Sequence, residues 1–216
     1  MGGIESILLK GTIDTLIMVV ISLVISYLAG VPLGVLLLIS KPSGLHSRKV
    51  LYQVLSRVIN ILRSLPFIIL LTILIPFTRF IVGTSIGIVG MIVPLSIAAI
   101  PFVARMVEQS LSEVEPELIS SMKVIGASTY QIIYKVYLPE ALPSLIRGVG
   151  ITAIALIGYS AMAGATGGGG LGDIAIRYGY YNYRMDIMIY TVIILIILVE
   201  LIQGITNYVS KKTNHI

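Results

Sequence analysis

Few side chains in this 216-residue sequence are of the kinds that make or break bonds. There is no cysteine, which excludes disulfides, thiolate nucleophiles and cysteine-based zinc sites. The two histidines, His46 and His215, sit among charged or polar neighbours outside every long apolar block. Serine proteolysis needs an activating base beside its nucleophile, and neither histidine falls in an apolar block where a membrane-embedded serine could use it. Gly167-Gly-Gly-Gly-Leu-Gly172 formally contains Gly-x-Gly-x-x-Gly. No βαβ unit surrounds it and no lysine follows it, so neither a dinucleotide fold nor a phosphate-binding loop is satisfied. The run fits a tight turn or close backbone packing. What remains are isolated ionisable residues within or beside apolar sequence: Asp14, Arg57, Arg63 and Glu200.

Such residues matter because of what surrounds them. Of the residues 56% are hydrophobic and 12% charged, and the mean hydropathy is +1.00. A soluble domain carries about a quarter charged residues, so this is the composition of an integral membrane protein. Five apolar blocks are long enough to span a bilayer, near 13–39, 58–77, 85–104, 146–165 and 186–209. The first block is too long for a signal-peptide core and is expected to be retained. Gly30, Pro32, Gly34 and Pro66 mark expected kinks or close helix contacts.

At membrane depth an ionisable group is costly unless it snorkels or finds a partner. Snorkelling accounts for Arg57 and Arg63 at the start of the second block, with contact to a loop or partner subunit as the alternative for Arg63. Glu200, inside the fifth block, is open to pairing with an arginine, facing a dimer interior or lying near a boundary. Asp14 reads as a first-turn carboxylate at the positive end of a helix.

Basic residues set the orientation. Lys41, Arg48, Lys49, Arg105, Lys123, Lys135, Arg147, Lys211 and Lys212 fall on one side of the five-span arrangement. Lys10, Arg79, Arg177 and Arg184 fall on the other. The larger group is expected in the cytoplasm, which puts the N-terminus outside and the C-terminus inside. The overall positive charge follows from this retention and does not imply nucleic acid. With no tryptophan in the chain, Tyr178, Tyr180, Tyr181 and Tyr183 are placed to form an outer interfacial belt.

The polar stretch between the third and fourth spans reads as two helices. The first covers about 105–125, with Glu108, Glu113, Glu115 and Glu117 in its first half. The second begins after Gly126: Ser128 and Gln131 have capping-box spacing, Ile132, Ile133, Val136 and Tyr137 make an apolar stripe, and Pro139 is expected to end it. Pattern alone fits a surface or interfacial helix. Gly126, nine residues, then Val136-Tyr137-Leu138-Pro139 resembles half of the EAA loop of permeases of ATP-binding-cassette (ABC) importers. Ser120, Ser121 and Met122 stand where that motif has Glu-Ala-Ala. Lys123 and the upstream acidic cluster are candidate substitutes for the missing glutamate.

Further stretches narrow the resemblance. Asn60-Ile-Leu-Arg-Ser-Leu-Pro-Phe67, Ile75-Pro-Phe-Thr-Arg79, Pro101-Phe-Val-Ala-Arg-Met-Val-Glu108, Tyr159-Ser-Ala-Met162 and Gly168-Gly-Gly-Leu-Gly172 resemble the methionine-import permeases. The resemblance implies an all-α integral membrane protein with the type I ABC importer permease fold: five transmembrane helices and a cytoplasmic coupling-helix loop. The permease domain is expected over 10–209, the coupling loop at about 105–144, and a short cytoplasmic tail at 210–216. It further implies a homodimer in the bacterial cytoplasmic membrane, embedded in the lipid bilayer, with two ATP-binding cassette subunits and an extracytoplasmic methionine-binding protein. ATP-Mg is expected on the partner ATPase, with no cofactor on this chain. Ser120, Ser121, Gly126, Ala127, Val136, Leu138 and Pro139 are then the ATPase-coupling residues. Met162, a large flexible side chain among small ones, is a candidate gate, with ordinary helix packing as its alternative; Tyr159 and Ser160 are candidates for lining the path. Another small amino acid as cargo and, in a different class, an ATP-independent proton-coupled carrier stay open at this point.

Overall fold

The computed structural model describes residues 2–213, whose regular structure is all helical, with no strand among them. Residues 214–216 of the expected tail, His215 among them, lie outside the described residues. In chain order the helices begin with α1 (Gly2–Ser40), α2 (Lys49–Ser64), α3 (Phe67–Val82), α4 (Gly87–Ser112) and α5 (Pro116–Val124). A composite helix follows: α6 (Thr129–Ile132), a π-helical turn (Ile133–Tyr137) and α7 (Leu138–Glu140). The chain ends with α8 (Leu142–Gly164), α9 (Gly170–Ile174), a second π-helical segment (Ala175–Tyr181) and α10 (Met185–Thr213). Helices α1, α4, α8 and α10 are long and apolar enough to cross a membrane, and α2 with α3 forms a fifth, broken unit.

That break corrects the expected second span at 58–77. Pro66 has no N–H to donate and disfavours a helical conformation at the preceding residue. Leu65 is accordingly extended (φ −74°, ψ 127°), and the chain turns by 102° between α2 and α3. Arg57 and Arg63 therefore belong to the amphipathic α2 and not to the apolar α3. Asp14 is corrected as well. Helix α1 starts at Gly2, so Asp14 sits well inside it and Glu5 is the first-turn carboxylate.

The core is built on α1 against α4. Gly30 and Gly34 are one helical turn apart, as in the small-xxx-small seams that let membrane helices approach closely. A Cβ on Gly30 would stand 2.6 Å from Val103 Cγ1, and one on Gly34 would stand 2.6 Å from Val107 Cβ. Helix α8 packs against α4, and α10 against α8. Gly164 and Gly172 likewise let α9 fold back on the end of α8, in keeping with the packing role expected of the glycine run.

Polar residues fasten α2 to this core. The Arg105 guanidinium pairs with Glu108 at 2.5 Å, and donates to Ser56 Oγ at 2.7 Å and to Asn60 Oδ1 at 3.0 Å. The Tyr52 hydroxyl donates to the other Glu108 oxygen at 3.1 Å. Glu108 is only 4% exposed, so Glu108→Ala leaves a largely buried guanidinium without its counter-charge. Removing one partner of a buried pair costs about 3–5 kcal/mol. Denaturant unfolding in mixed micelles should show that loss, with α2 becoming protease-sensitive first; unchanged stability would show that the pair does not anchor α2.

Candidate coupling and translocation sites

The loop between α4 and α8 is not the two simple helices its sequence suggests. The expected helix over 105–125 is split: α4 runs on to Ser112, Glu113–Glu115 intervene, and Pro116 starts α5. Proline suits a first helical turn, where its missing N–H has no partner to lose. The acidic cluster divides accordingly. Glu108 faces inward to Arg105, whereas Glu113, Glu115 and Glu117 are exposed. Glu108 thus cannot substitute for the motif's absent glutamate, and Lys123, Glu113, Glu115 and Glu117 stay at the surface.

Gly126 closes α5. Its N–H donates to the Lys123 carbonyl and the Ala127 N–H to the Met122 carbonyl, both at 3.0 Å, with Gly126 at φ +78°. This is the Schellman arrangement, whose left-handed residue favours glycine. A Cβ there would meet nothing within 4 Å, so backbone conformation, and not lack of room, makes the position selective. The capping box forms as expected: Gln131 N–H donates to Ser128 Oγ at 3.3 Å, and Ser128 N–H to Gln131 Oε1 at 2.7 Å.

Pro139 does not end the helix that follows. The backbone stays helical through it to Glu140, because the π-helical turn just before it widens the ladder, with Leu138 N–H bonding the Ile133 carbonyl. Val136 and Tyr137 turn inward into the apolar cluster that also holds Leu38, Val107 and Leu111, and burial pushes the Tyr137 phenol above its usual pKa. Leu138 is half-buried and Ala127 intermediate; Ser120, Ser121, Gly126 and Pro139 are exposed. The Ser120 and Ser121 hydroxyls are satisfied by the carbonyls of Pro116 and Glu117.

Outward, the tip carries residues that the sequence reading did not single out. Val124 is 87% and Ile125 76% exposed, beside an exposed Tyr130–Tyr134 pair whose ring centroids are 4.3 Å apart. Their signal was apolar side chains flanking Gly126 in an otherwise polar loop. The tip is tied to the loop after α1 by the Thr129 Oγ1–His46 Nδ1 contact at 3.4 Å.

In the membrane region, the helical period separates the candidate path residues. Tyr159 and Met162 share one face of α8, where Tyr159 stacks on Phe67 with centroids 4.8 Å apart and Met162 is 43% exposed. Ser160 turns the other way: it is buried, with its hydroxyl donating to the Ile157 carbonyl. The structure therefore brings Phe67 to the candidate path in place of Ser160. Glu200 lies on an exposed stripe of α10 with no ion-pair partner among the described residues. No cluster of three or more metal-ligating side chains occurs among the described residues.

This arrangement has counterparts. The profile of the binding-protein-dependent transport system inner membrane component matches residues 30–215. The chain belongs to that family. The permease is 48% identical over 211 residues to the probable D-methionine transport system permease protein MetI of Vibrio cholerae serotype O1, covering 98% of this chain and 94% of that one. It is 49% identical over 158 residues to the D-methionine transport system permease protein MetI of Escherichia coli K12, covering 73% of each. Among solved structures, a chain of the MetNI methionine ABC transporter in an inward facing conformation superposes over 100% of both chains with a TM-score of 0.98 and 45% identity. A chain of an amino acid ABC transporter crystallised with histidines superposes over 96% of this permease and 94% of that chain, with a TM-score of 0.79; at 19% identity that likeness is one of fold.

Because Gly126 is set by φ alone, asparagine should replace it with little effect, whereas valine should strain the turn by about 1–2 kcal/mol. Limited proteolysis between residues 123 and 128 should then be roughly tenfold faster in Gly126→Val than in Gly126→Asn. Equal rates would mean that the turn does not depend on the left-handed residue.

Proposed function

We propose that this permease is the membrane subunit of an ATP-driven methionine importer in the bacterial inner membrane. The observation that carries the proposal is the apolar tip of Val124, Ile125, Tyr130 and Tyr134, held outside the spans on a chain that matches methionine permeases over nearly its whole length. Apolar side chains at such exposure are surface awaiting a partner, and an ATP-binding cassette subunit is the partner its family supplies.

In this reading two copies of the chain form the pathway and two ATPase subunits hold ATP-Mg, while the permease binds no cofactor. An extracytoplasmic binding protein delivers methionine. The domain comprises 10–209, with the coupling loop at 105–144 and the tail at 210–216 reaching into the cytoplasm. Ser120, Ser121, Gly126, Ala127, Val136, Leu138 and Pro139 form the coupling segment, in two roles. Val136 and Leu138 root it in the spans, while Gly126 and the two serines shape its outer surface. Tyr159 and Met162 border the passage.

The energetics follow from differential affinity. ATP binding shifts the permease only as far as the closed ATPase pair prefers one arrangement of the tip. Since Val136 and Tyr137 share one apolar cluster with Leu38, Val107 and Leu111, displacement of the tip bears on the ends of α1 and α4. Orientation is supported by the ends of the helices. The Arg147 guanidinium donates to Ser210 Oγ at 3.1 Å, and Ser210 Oγ to the Pro143 carbonyl at 2.9 Å, so the start of α8 and the end of α10 share one basic end with the loop. That end faces the cytoplasm.

Proteoliposomes containing the permease and its cognate ATPase, with binding protein, should accumulate labelled methionine only when ATP is present on the ATPase side. Unlabelled methionine should compete. Tyr134→Glu, which places a charge on the apolar tip, should lower ATP-dependent uptake by about tenfold or more through loss of assembly. ATP-dependent uptake of another amino acid would keep the importer and change its cargo; uptake driven by a proton gradient without ATP would overturn the reading.

A further inference from the structure

The break between α2 and α3 opens a cavity of about 440 Å³ bordered by Asn60, Arg63, Phe67, Phe102 and Tyr159. Its size falls within the range of small-ligand pockets, roughly 300–1,000 Å³. Arg63 is the one charged residue in its lining, and among the described residues it has no carboxylate within salt-bridge distance. Its guanidinium lies over the Phe102 ring, 5.7 Å from the centroid. Nearby Arg105, by contrast, is neutralised by Glu108.

Asn60 strengthens the same preference. Arginine can only donate, so Asn60 must present its carbonyl oxygen to Arg105. That leaves the Asn60 amide N–H groups for another acceptor. One fixed cation and one set of free amide donors suit a carboxylate. The Phe67–Tyr159 stack, in the same lining, supplies aromatic surface against which a flexible thioether or alkyl side chain packs well. The helix ends at the break act in the same sense: the last-turn carbonyls of α2 suit an ammonium group, and the first-turn N–H groups of α3 suit an anion.

We propose that this cavity is a transit site for the cargo amino acid, with Arg63 and Asn60 holding its carboxylate and the Phe67–Tyr159 stack receiving its apolar side chain. The proposal rests on the importer function above and adds where and by what groups the cargo is recognised within the permease. It also gives Arg63 a role distinct from snorkelling. The Tyr159 ring serves both the cavity and the face that carries Met162, so cargo at this site sits directly beside the candidate gate.

The absence of cysteine makes the site directly testable. Ser64→Cys, at the cavity lining, is reacted with a water-soluble maleimide in the nucleotide-free permease–ATPase complex in nanodiscs. Thr84→Cys, in the loop between α3 and α4, is the control for general effects. Methionine at roughly ten times its Kd should slow labelling of Ser64→Cys by about tenfold and leave Thr84→Cys unchanged. Methioninol, which lacks the carboxylate, should not protect. Adding Arg63→Gln should weaken protection by about tenfold or more, and Arg63→Lys should retain part of it. Ala98→Cys, also at the lining, serves if Ser64→Cys does not assemble.

Uptake by the cysteine-free parent is measured in parallel, so that the two readings fail separately. Methionine uptake with no protection, equal protection by methioninol, or protection indifferent to Arg63→Gln would each overturn the transit site while leaving the importer intact. If the parent instead carries a different amino acid, carboxylate-dependent protection by that solute supports the site, and its absence overturns it.

Discussion

A backbone amide that cannot reach water must find a carbonyl, and in a bilayer this leaves a chain few ways to change direction. Nearly everything distinctive in this permease sits where that constraint is met by something other than a straight helix. At Pro66 the chain turns by 102° and leaves two helix ends beside a cavity. At Gly126 a Schellman turn satisfies the carbonyls of Met122 and Lys123. Before Pro139 a π-helical turn keeps the backbone bonded through a residue that cannot donate. Between α8 and α9 a hydrogen-bonded turn reverses the chain, and its Gly167 carbonyl also accepts from Gly87 N–H. Each solution fixes a geometry that a longer, looser loop would not hold.

Those geometries matter because the frame between them is stiff. Gly30 and Gly34 bring α1 against Val103 and Val107 of α4 with no room for a methyl group between them. The loop-side ends of the same two helices carry Leu38, Val107 and Leu111, which share one apolar cluster with Val136 and Tyr137. A displacement at the exposed tip therefore meets close-packed side chains all the way to the spans, and close-packed interiors transmit strain instead of absorbing it. The buried Arg105–Glu108 pair ties α2 into the same frame through Tyr52, Ser56 and Asn60. Tip, broken span and aromatic stack are thus parts of one mechanical unit.

The polar groups divide by whether they have partners. Arg105, Glu108, Ser160 and the loop serines are satisfied within the chain and serve its architecture. Arg63 is held only over an aromatic ring and Glu200 faces outward from α10. For Arg63 a cavity supplies the reason. For Glu200, the described residues supply no partner, and its face is one that a second subunit or lipid would cover.

Much of this was legible in the sequence, because hydropathy and local capping act over a few residues. The apolar blocks mark the four long spanning helices, Ser128 and Gln131 announce their capping box, and Gly126 marks a turn. Pro66 reads as a kink, but its 102° consequence is not legible, since a proline kink within a helix and a full break share the same local pattern. Hydropathy places Asp14 in a first turn only because the helix extends beyond its most apolar part. Adjacency groups Ser160 with Tyr159 and Met162, whereas a period of 3.6 residues puts Tyr159 and Met162, three apart, on a face that Ser160 does not share.

Long-range pairing is not legible in local sequence. Glu108 looked like one of four equivalent acidic residues until its partners, which include Tyr52 more than fifty positions earlier, came together around it. The cavity draws on α2, α3, α4 and α8, so no local pattern describes it. By itself the sequence determined an all-helical membrane protein, the positions of its long apolar helices and the turn at Gly126, because each of these is written in local composition and spacing, while the permease family was read from motif resemblance. Which polar groups are neutralised, which stay free and which aromatic rings they face was decided only by tertiary structure, because charge and packing act through space between residues far apart in the chain.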